Sequence, residues 1–168
     1  MKKSKLLSNF LLILLSMCIY SCSSSDDDDN INDNPNLDSS NFLEKFDGFG
    51  YFYESDYNDT DFWFFKNNPN GNYLNYVEKS LNEDGTYDYF CIEISPNFTS
   101  EGIDSVELVT NNTLSLLIQI NYESGSQSTI EFNVDDSGNT LTVTENDGEG
   151  SSVNIHSKTT TTFTSLCN

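Results

Sequence analysis

The sequence contains no arginine and no alanine, and it has one histidine, one tryptophan and three prolines. All seven basic residues are therefore lysines, set against 27 acidic residues, and the formal net charge is −20. Proteins bind nucleic acids largely through Lys and Arg side chains that neutralise phosphates, so this balance excludes a nucleic-acid partner. The same charge disfavours direct contact with an anionic lipid surface.

Catalytic and metal-binding motifs are scarce as well. The single histidine, His156, rules out a cluster of several histidines around a metal or a pair of catalytic histidines. It stands in a strand-like run on the face opposite Val153 and Ile155, which predicts an exposed or hydrogen-bonded strand residue. No phosphate-binding glycine loop and no nucleophile-elbow spacing is present. We therefore predict a non-enzymatic protein without a cofactor or a metal.

The first 21 residues have the layout of an export signal. Three lysines within the first five residues precede an apolar run over residues 11–15, which extends loosely to Tyr20. This run is too short for a membrane-spanning helix, which needs about 20 apolar residues, and it fits a secretory signal peptide. Residues 19–22 (Ile-Tyr-Ser-Cys) resemble a bacterial lipobox. An ordinary signal peptide with an accidental cysteine, or modification of Cys18 instead, are the alternatives.

The lipobox resemblance implies cleavage before Cys22, diacylglycerol on its sulfur and acylation, for example with palmitate, of the new amine. Residues 23–30 (SSSDDDDN) resemble the surface-export signal of Bacteroidetes lipoproteins, which implies display on the outer face of the outer membrane. A solvated spacer is the simpler alternative. From Cys22 onward, four lysines face all 27 acids, a formal charge of −23. We predict a signal peptide over 1–21 and a disordered acidic tether over 22–40.

Two cysteines remain once the leader is removed and Cys22 is acylated. They are Cys91 and Cys167, and an exported protein lies in a compartment that permits disulfides. A bridge between them would close a long loop and contribute about 4 kcal/mol to the free energy of unfolding. The alternative is a buried free Cys91 with a loose tail.

The body of the chain, residues 41–168, reads as consecutive short strands. A helical turn is expected over residues 41–47, with Ser40 or Asn41 as its cap. Strands are then predicted from alternating apolar residues around 49–53, 73–77, 87–94, 106–108, 114–122, 130–134, 141–143 and 153–155. A strand that is apolar on both sides is predicted at 62–65, and a last, threonine-rich strand around Phe163 at 159–165. Turn signals such as Asp84-Gly85 and Ser137-Gly138 separate them. The pattern predicts an all-β fold, an antiparallel up-and-down barrel of about eight to ten strands, with a two-sheet sandwich as the alternative.

Several sequence features together resemble the lipocalin-like lipoproteins of Bacteroidetes. They are the lipobox, the Ser/Asp tether, FLEKFDG at 42–48, an early aromatic strand, GNTLTV at 138–143 and the closing TTTFTSLCN. The resemblance covers roughly residues 41–168 and implies a lipocalin-like meander barrel with a cup-like interior. The lipocalin hallmark Gly-x-Trp is replaced by Gly48-Phe49-Gly50, so the resemblance supplies no defined ligand and no catalytic residue.

Aromatic residues cluster in the first third of the body, where core packing is the ordinary explanation. Tyrosine-rich surfaces also bind glycans or apolar ligands, so we expect any ligand site at the barrel mouth. Its candidate residues, here called the aromatic quartet, are Tyr51, Tyr53, Trp63 and Tyr73. The acidic segment 56–61 does not fit an EF-hand, because Asp61 and Asn67 replace the required glycine and glutamate, so a solvated loop is expected.

The expected function is that of an outer-membrane, surface-exposed lipoprotein. Its barrel is expected to bind a small apolar ligand, a glycan or a partner protein without catalysis. The alternative is a structural or accessory subunit of an outer-membrane complex that has no ligand pocket. A roomy interior lined by Tyr and Phe would favour the first hypothesis, and a filled interior with an exposed apolar patch would favour the second.

Overall fold

The computed structural model describes residues 40–55 and 59–167, which form nine strands and two short helices. The predicted signal peptide and most of the predicted tether lie outside the described residues, as does part of the acidic segment 56–61. In chain order the elements are α1 (Phe42–Lys45), β1 (Gly50–Glu54), β2 (Thr60–Phe65), β3 (Leu74–Leu81), β4 (Tyr87–Ile94), β5 (Ile103–Asn111), β6 (Ser115–Tyr122), β7 (Gln127–Val134), β8 (Thr140–Asn146), β9 (Ser151–Thr159) and α2 (Phe163–Leu166). Among these residues no helix is long and apolar enough to cross a membrane.

All nine strands belong to one antiparallel sheet in the order β4-β3-β2-β1-β9-β8-β7-β6-β5. Strands that follow each other in the chain pair with each other, except β4 and β5, and β1 pairs with β9 in the middle of the sheet. The sheet curls into a half-barrel whose edges are β4 and β5. The predicted all-β, up-and-down architecture is thus confirmed, and the sandwich alternative is excluded.

Turn chemistry explains why the strands follow one another so closely. In the β3–β4 connection Gly85 has a φ of +83°, a left-handed conformation that glycine adopts without steric cost. The preceding Asp84 accepts hydrogen bonds from the backbone N–H (2.9 Å) and hydroxyl (2.6 Å) of Thr86. These contacts close a tight hairpin and fix the register of β3 against β4.

The main apolar cluster fills the concave face of the half-barrel. Alternate residues of the strands contribute to it, as β6 shows with its fully buried Leu116 and Ile118. Helix α1 packs Phe42 and Leu43 into the same cluster, and the Phe42 and Phe65 rings meet edge to face with centroids 5.1 Å apart. The predicted helical turn is confirmed, with Asn41 as an N-cap in a reciprocal capping box with Glu44.

A second, smaller cluster covers the convex face of β1 to β3. It contains Phe62, Phe64 and Val77, packed against Phe163 and Leu166 of α2. The sequence predicts a strand over 159–165, and this is wrong, because β9 ends at Thr159 and residues 163–166 are helical. A helical turn places Phe163 and Leu166, three residues apart, on one side, where both reach the convex apolar stripe.

The predicted disulfide is present. Cys91 of β4 and Cys167, which follows α2, are bonded, with their Cα atoms 6.1 Å apart. Cys91 pairs in the sheet with Val77, a member of the convex cluster, so the bridge fastens the C-terminal segment across that cluster.

Candidate functional site

The aromatic quartet lies on or beside the concave core. Tyr51, Trp63 and Tyr73 are buried, and Tyr53 is half-buried. The Tyr51 hydroxyl donates to the carbonyl of Gly138 at 3.1 Å, and burial together with the nearby Asp135 carboxylate raises its pKa to about 12. Because α1 fills the concave face beside these rings, three of the four serve in packing. Their role in ligand binding stays a prediction.

One end of the concave face is acidic. The Tyr76 hydroxyl donates to Asp61 Oδ1 at 2.6 Å. Burial raises the pKa of Asp61, with smaller contributions from Glu78 and Asp59, against the opposing effect of the Tyr76 hydrogen bond. Burial, followed by the charge of Asp61, also raises the pKa of Glu145. These carboxyl groups therefore hold protons more firmly than ordinary ones.

His156 does not occupy the environment that the sequence predicts. It lies on the concave face opposite Leu141, 2% exposed, with its ring centroid 5.5 Å from that of Tyr53. Neither ring nitrogen has a partner at good hydrogen-bond geometry. Burial lowers the pKa of His156 to about 4, against a smaller opposing contribution from the Asn154 backbone. Val153 and Ile155 are instead 60% and 64% exposed. The face that alternation marked as apolar is thus the solvated one, because the curl of the sheet turns it outward.

A groove of about 240 Å³ lies on the convex face, between β2, β3 and the C-terminal segment. We call it the convex groove. Its lining includes Gly48, Phe64, Lys66, Asn75, Phe163 and three threonines of the C-terminal segment. The Phe64 and Phe163 rings form an aromatic corner, with centroids 6.2 Å apart and planes at 66°. Phe64 lies over Gly50, where a Cβ would stand 2.7 Å from the ring. Glycine at this position therefore lets the ring lie against the strand.

Asn75 supplies the polar group of the convex groove. Its side chain is fully buried, it shares the convex face with Phe64, and neither its carboxamide nitrogen nor its oxygen has a hydrogen-bond partner. A buried amide without partners costs about 1–3 kcal/mol of stability. A residue that carries this cost and lines a groove marks a candidate recognition site.

Lys66 stands at the same groove. Its ammonium group lies 5.9 Å from the centroid of the Phe163 ring, at the distance of a cation–π contact. The structure gives it no carboxylate partner among the described residues. In a chain with so few lysines, this places a positive charge beside the aromatic corner.

The convex groove is the part of the site that sequence reasoning missed. Its one signal was Asn75, a polar residue in the alternation between Tyr73 and Val77. Within residues 40–55 and 59–167, no group of three or more His, Cys, Asp or Glu side chains is arranged to hold a metal ion. Comparison with protein-family models, with curated proteins and with solved structures finds no match to this chain.

Proposed function

We propose that this chain is an outer-membrane lipoprotein, anchored through acyl chains on Cys22 and displayed on the cell surface, which binds a small ligand in its convex groove without catalysis. The observation that carries the binding function is the buried, unpartnered carboxamide of Asn75. Asn75 lines the convex groove together with Phe64 and Phe163. The anchor is supported by the lipobox at residues 19–22 and by the acidic run that follows it.

The binding function is tested by native mass spectrometry of the full-length chain, purified from its own host in a mild detergent. A ligand of defined mass should accompany the wild-type protein and be absent from the Asn75→Leu variant. Asn133→Leu is the matched control, because Asn133 lies on the convex face of β7, which four strands separate from β3. Identical spectra for the wild type and Asn75→Leu would refute this site.

The anchor is tested by Cys22→Ala. Each buried lipid CH₂ contributes about 0.8 kcal/mol to membrane binding, so removing the acylated thiol should release the protein from the membrane fraction. Cys18→Ala, which leaves the lipobox cysteine in place, should remain bound. Retention of Cys22→Ala in the membrane fraction would contradict the proposed anchor.

A second candidate function is that of an accessory subunit in an outer-membrane complex. It is favoured by the filled concave face and by the edge strand β4, where Tyr87, Tyr89 and Phe90 are exposed. An unpaired edge with exposed rings suits pairing with a partner protein. Photo-crosslinking from Phe90 in intact cells distinguishes the two functions, since a single partner band is expected only from a subunit.

A further inference from the structure

We propose that the ligand of the convex groove is a single uronic-acid residue at the end of a glycan, an inference that rests on the proposed binding function. The observation behind it is the meeting of three chemically different groups. These are the aromatic corner of Phe64 and Phe163, the unpartnered carboxamide of Asn75 and the ammonium group of Lys66. Each restricts the ligand in a different way.

The size and form of the groove set the first restriction. Its volume of about 240 Å³ lies below the range of roughly 300–1,000 Å³ typical of pockets for drug-sized molecules, so it holds one ring. The half-buried Phe163 ring is the wall on which a ligand ring can lay one apolar face, and the buried Phe64 ring, at 66° to it, closes the corner. The C–H face of a pyranose sugar is such a surface. The groove is open to solvent, so the rest of a glycan chain can continue outward.

Asn75 sets the second restriction. A carboxamide presents donor N–H groups and an acceptor oxygen side by side, so its complement must offer an acceptor and a donor on neighbouring atoms. Two adjacent hydroxyl groups of a sugar meet this requirement. An alkyl chain or a sterol would leave the amide unpaired and gain nothing from it, so the amide favours a ligand that carries hydroxyl groups.

Lys66 sets the third restriction. Its charge lies at the rim of the aromatic corner, and ammonium groups bind carboxylates through charge-assisted hydrogen bonds. The protein as a whole is strongly acidic, but exposed charges are screened beyond about 8–10 Å at physiological ionic strength. The carboxylate of Asp47, next to the groove residue Gly48, accepts a hydrogen bond from the Asn67 backbone N–H at 2.8 Å. Lys66 is the cation among the lining residues, and it favours a ring that carries a carboxylate next to its hydroxyls.

The test titrates the full-length chain, held in a detergent without a sugar headgroup, with three probes while the side-chain amide signal of Asn75 is followed by NMR. The probes are methyl β-glucuronide, the neutral methyl β-glucoside and cyclohexanecarboxylate, which has ring and charge but no hydroxyls. The glucuronide should shift the Asn75 signal and bind about tenfold or more tighter than the glucoside, the loss expected for one charge-assisted contact. Cyclohexanecarboxylate should not bind measurably.

Variants assign the contacts. Asn75→Leu should abolish glucuronide binding without lowering the melting temperature, because an unpaired buried amide is removed. If Asn75 served only a structural role, its replacement would lower the melting temperature. Lys66→Gln should make glucuronide and glucoside bind with the same affinity. Lys79→Gln, on the same face, should leave the affinities for both probes unchanged.

Equal binding of all three probes, or undiminished glucuronide binding by Asn75→Leu, would overturn the proposal, and so would the absence of glucuronide binding. If the glucuronide fails while native mass spectrometry finds another ligand that depends on Asn75, the ligand class is wrong and the proposed function stands. If neither experiment finds a ligand, both the proposed ligand class and the proposed binding function are wrong.

Discussion

His156 is a single buried side chain with a direct effect on stability. Its folded-state pKa of about 4 lies below the ordinary value of 6.5, because burial disfavours the charged ring. Between these two pH values the unfolded chain takes up a proton that the folded chain refuses. The His156 contribution to stability is therefore lost as the pH falls through this interval.

We expect the free energy of unfolding of the wild type to fall, relative to His156→Leu, by up to about 3 kcal/mol between pH 6.5 and pH 4. Denaturant titrations of both proteins at several pH values measure the difference. Asp61 and Glu145 have raised pKa values, so their effect has the opposite sign, with stability rising as the pH falls. This contribution of the two carboxyl groups is the same in the wild type and in His156→Leu, so it cancels in the difference between them. Parallel stability curves would contradict the prediction.

At the scale of elements, α2 shows where local preference yields to tertiary structure. Residues 159–165 are rich in threonine, which favours strands, and a helix of four residues is unstable by itself. It forms because Phe163 and Leu166 cover Phe62 and Phe64 on the convex face. Strands β1 to β9 were predictable because each carries its own local signal, an alternation of apolar residues or, in β2, a continuous apolar run. The convex groove was not, since it exists only after α2 has packed.

The disulfide should hold this element in place. Replacing both Cys91 and Cys167 by serine opens a loop of 76 residues and should lower the free energy of unfolding by about 4 kcal/mol. Hydrogen exchange at the Ser165 amide, which donates to the Thr162 carbonyl at 3.0 Å, should quicken as α2 loosens. The amide of Ile118 in β6 serves as the internal reference. Unchanged unfolding and exchange would show that packing alone fixes α2.

At the scale of the whole molecule, an open sheet must avoid pairing at its edges. Strand β4 presents Phe90, which is 59% exposed, at one edge, and the formal net charge of −20 keeps molecules apart at neutral pH. Near the sequence isoelectric point of about 4.1 this repulsion disappears. We therefore expect charge to be an important protection of the β4 edge against association.

We expect light scattering to rise sharply as the pH approaches 4.1, and Phe90→Lys to reduce it by placing a charge at the edge of the sheet. Leu114→Lys is the matched control. Leu114 is 77% exposed, but it precedes β6, an interior strand of the sheet. Equal protection by both variants would show that added charge alone, rather than blocking of the β4 edge, is responsible.

The position of α1 also determines how the domain meets mechanical load. The described chain enters the sheet domain immediately before α1, so tension applied from its N-terminal side reaches this helix before any strand. Helix α1 is held by the burial of Phe42 and Leu43 and by the hydrogen bond from the Leu43 amide to the Asn111 side chain at 3.1 Å. A pulling force on this side of the chain would therefore act first on α1, and its removal from the concave face would expose the buried aromatic rings while the strands stay paired.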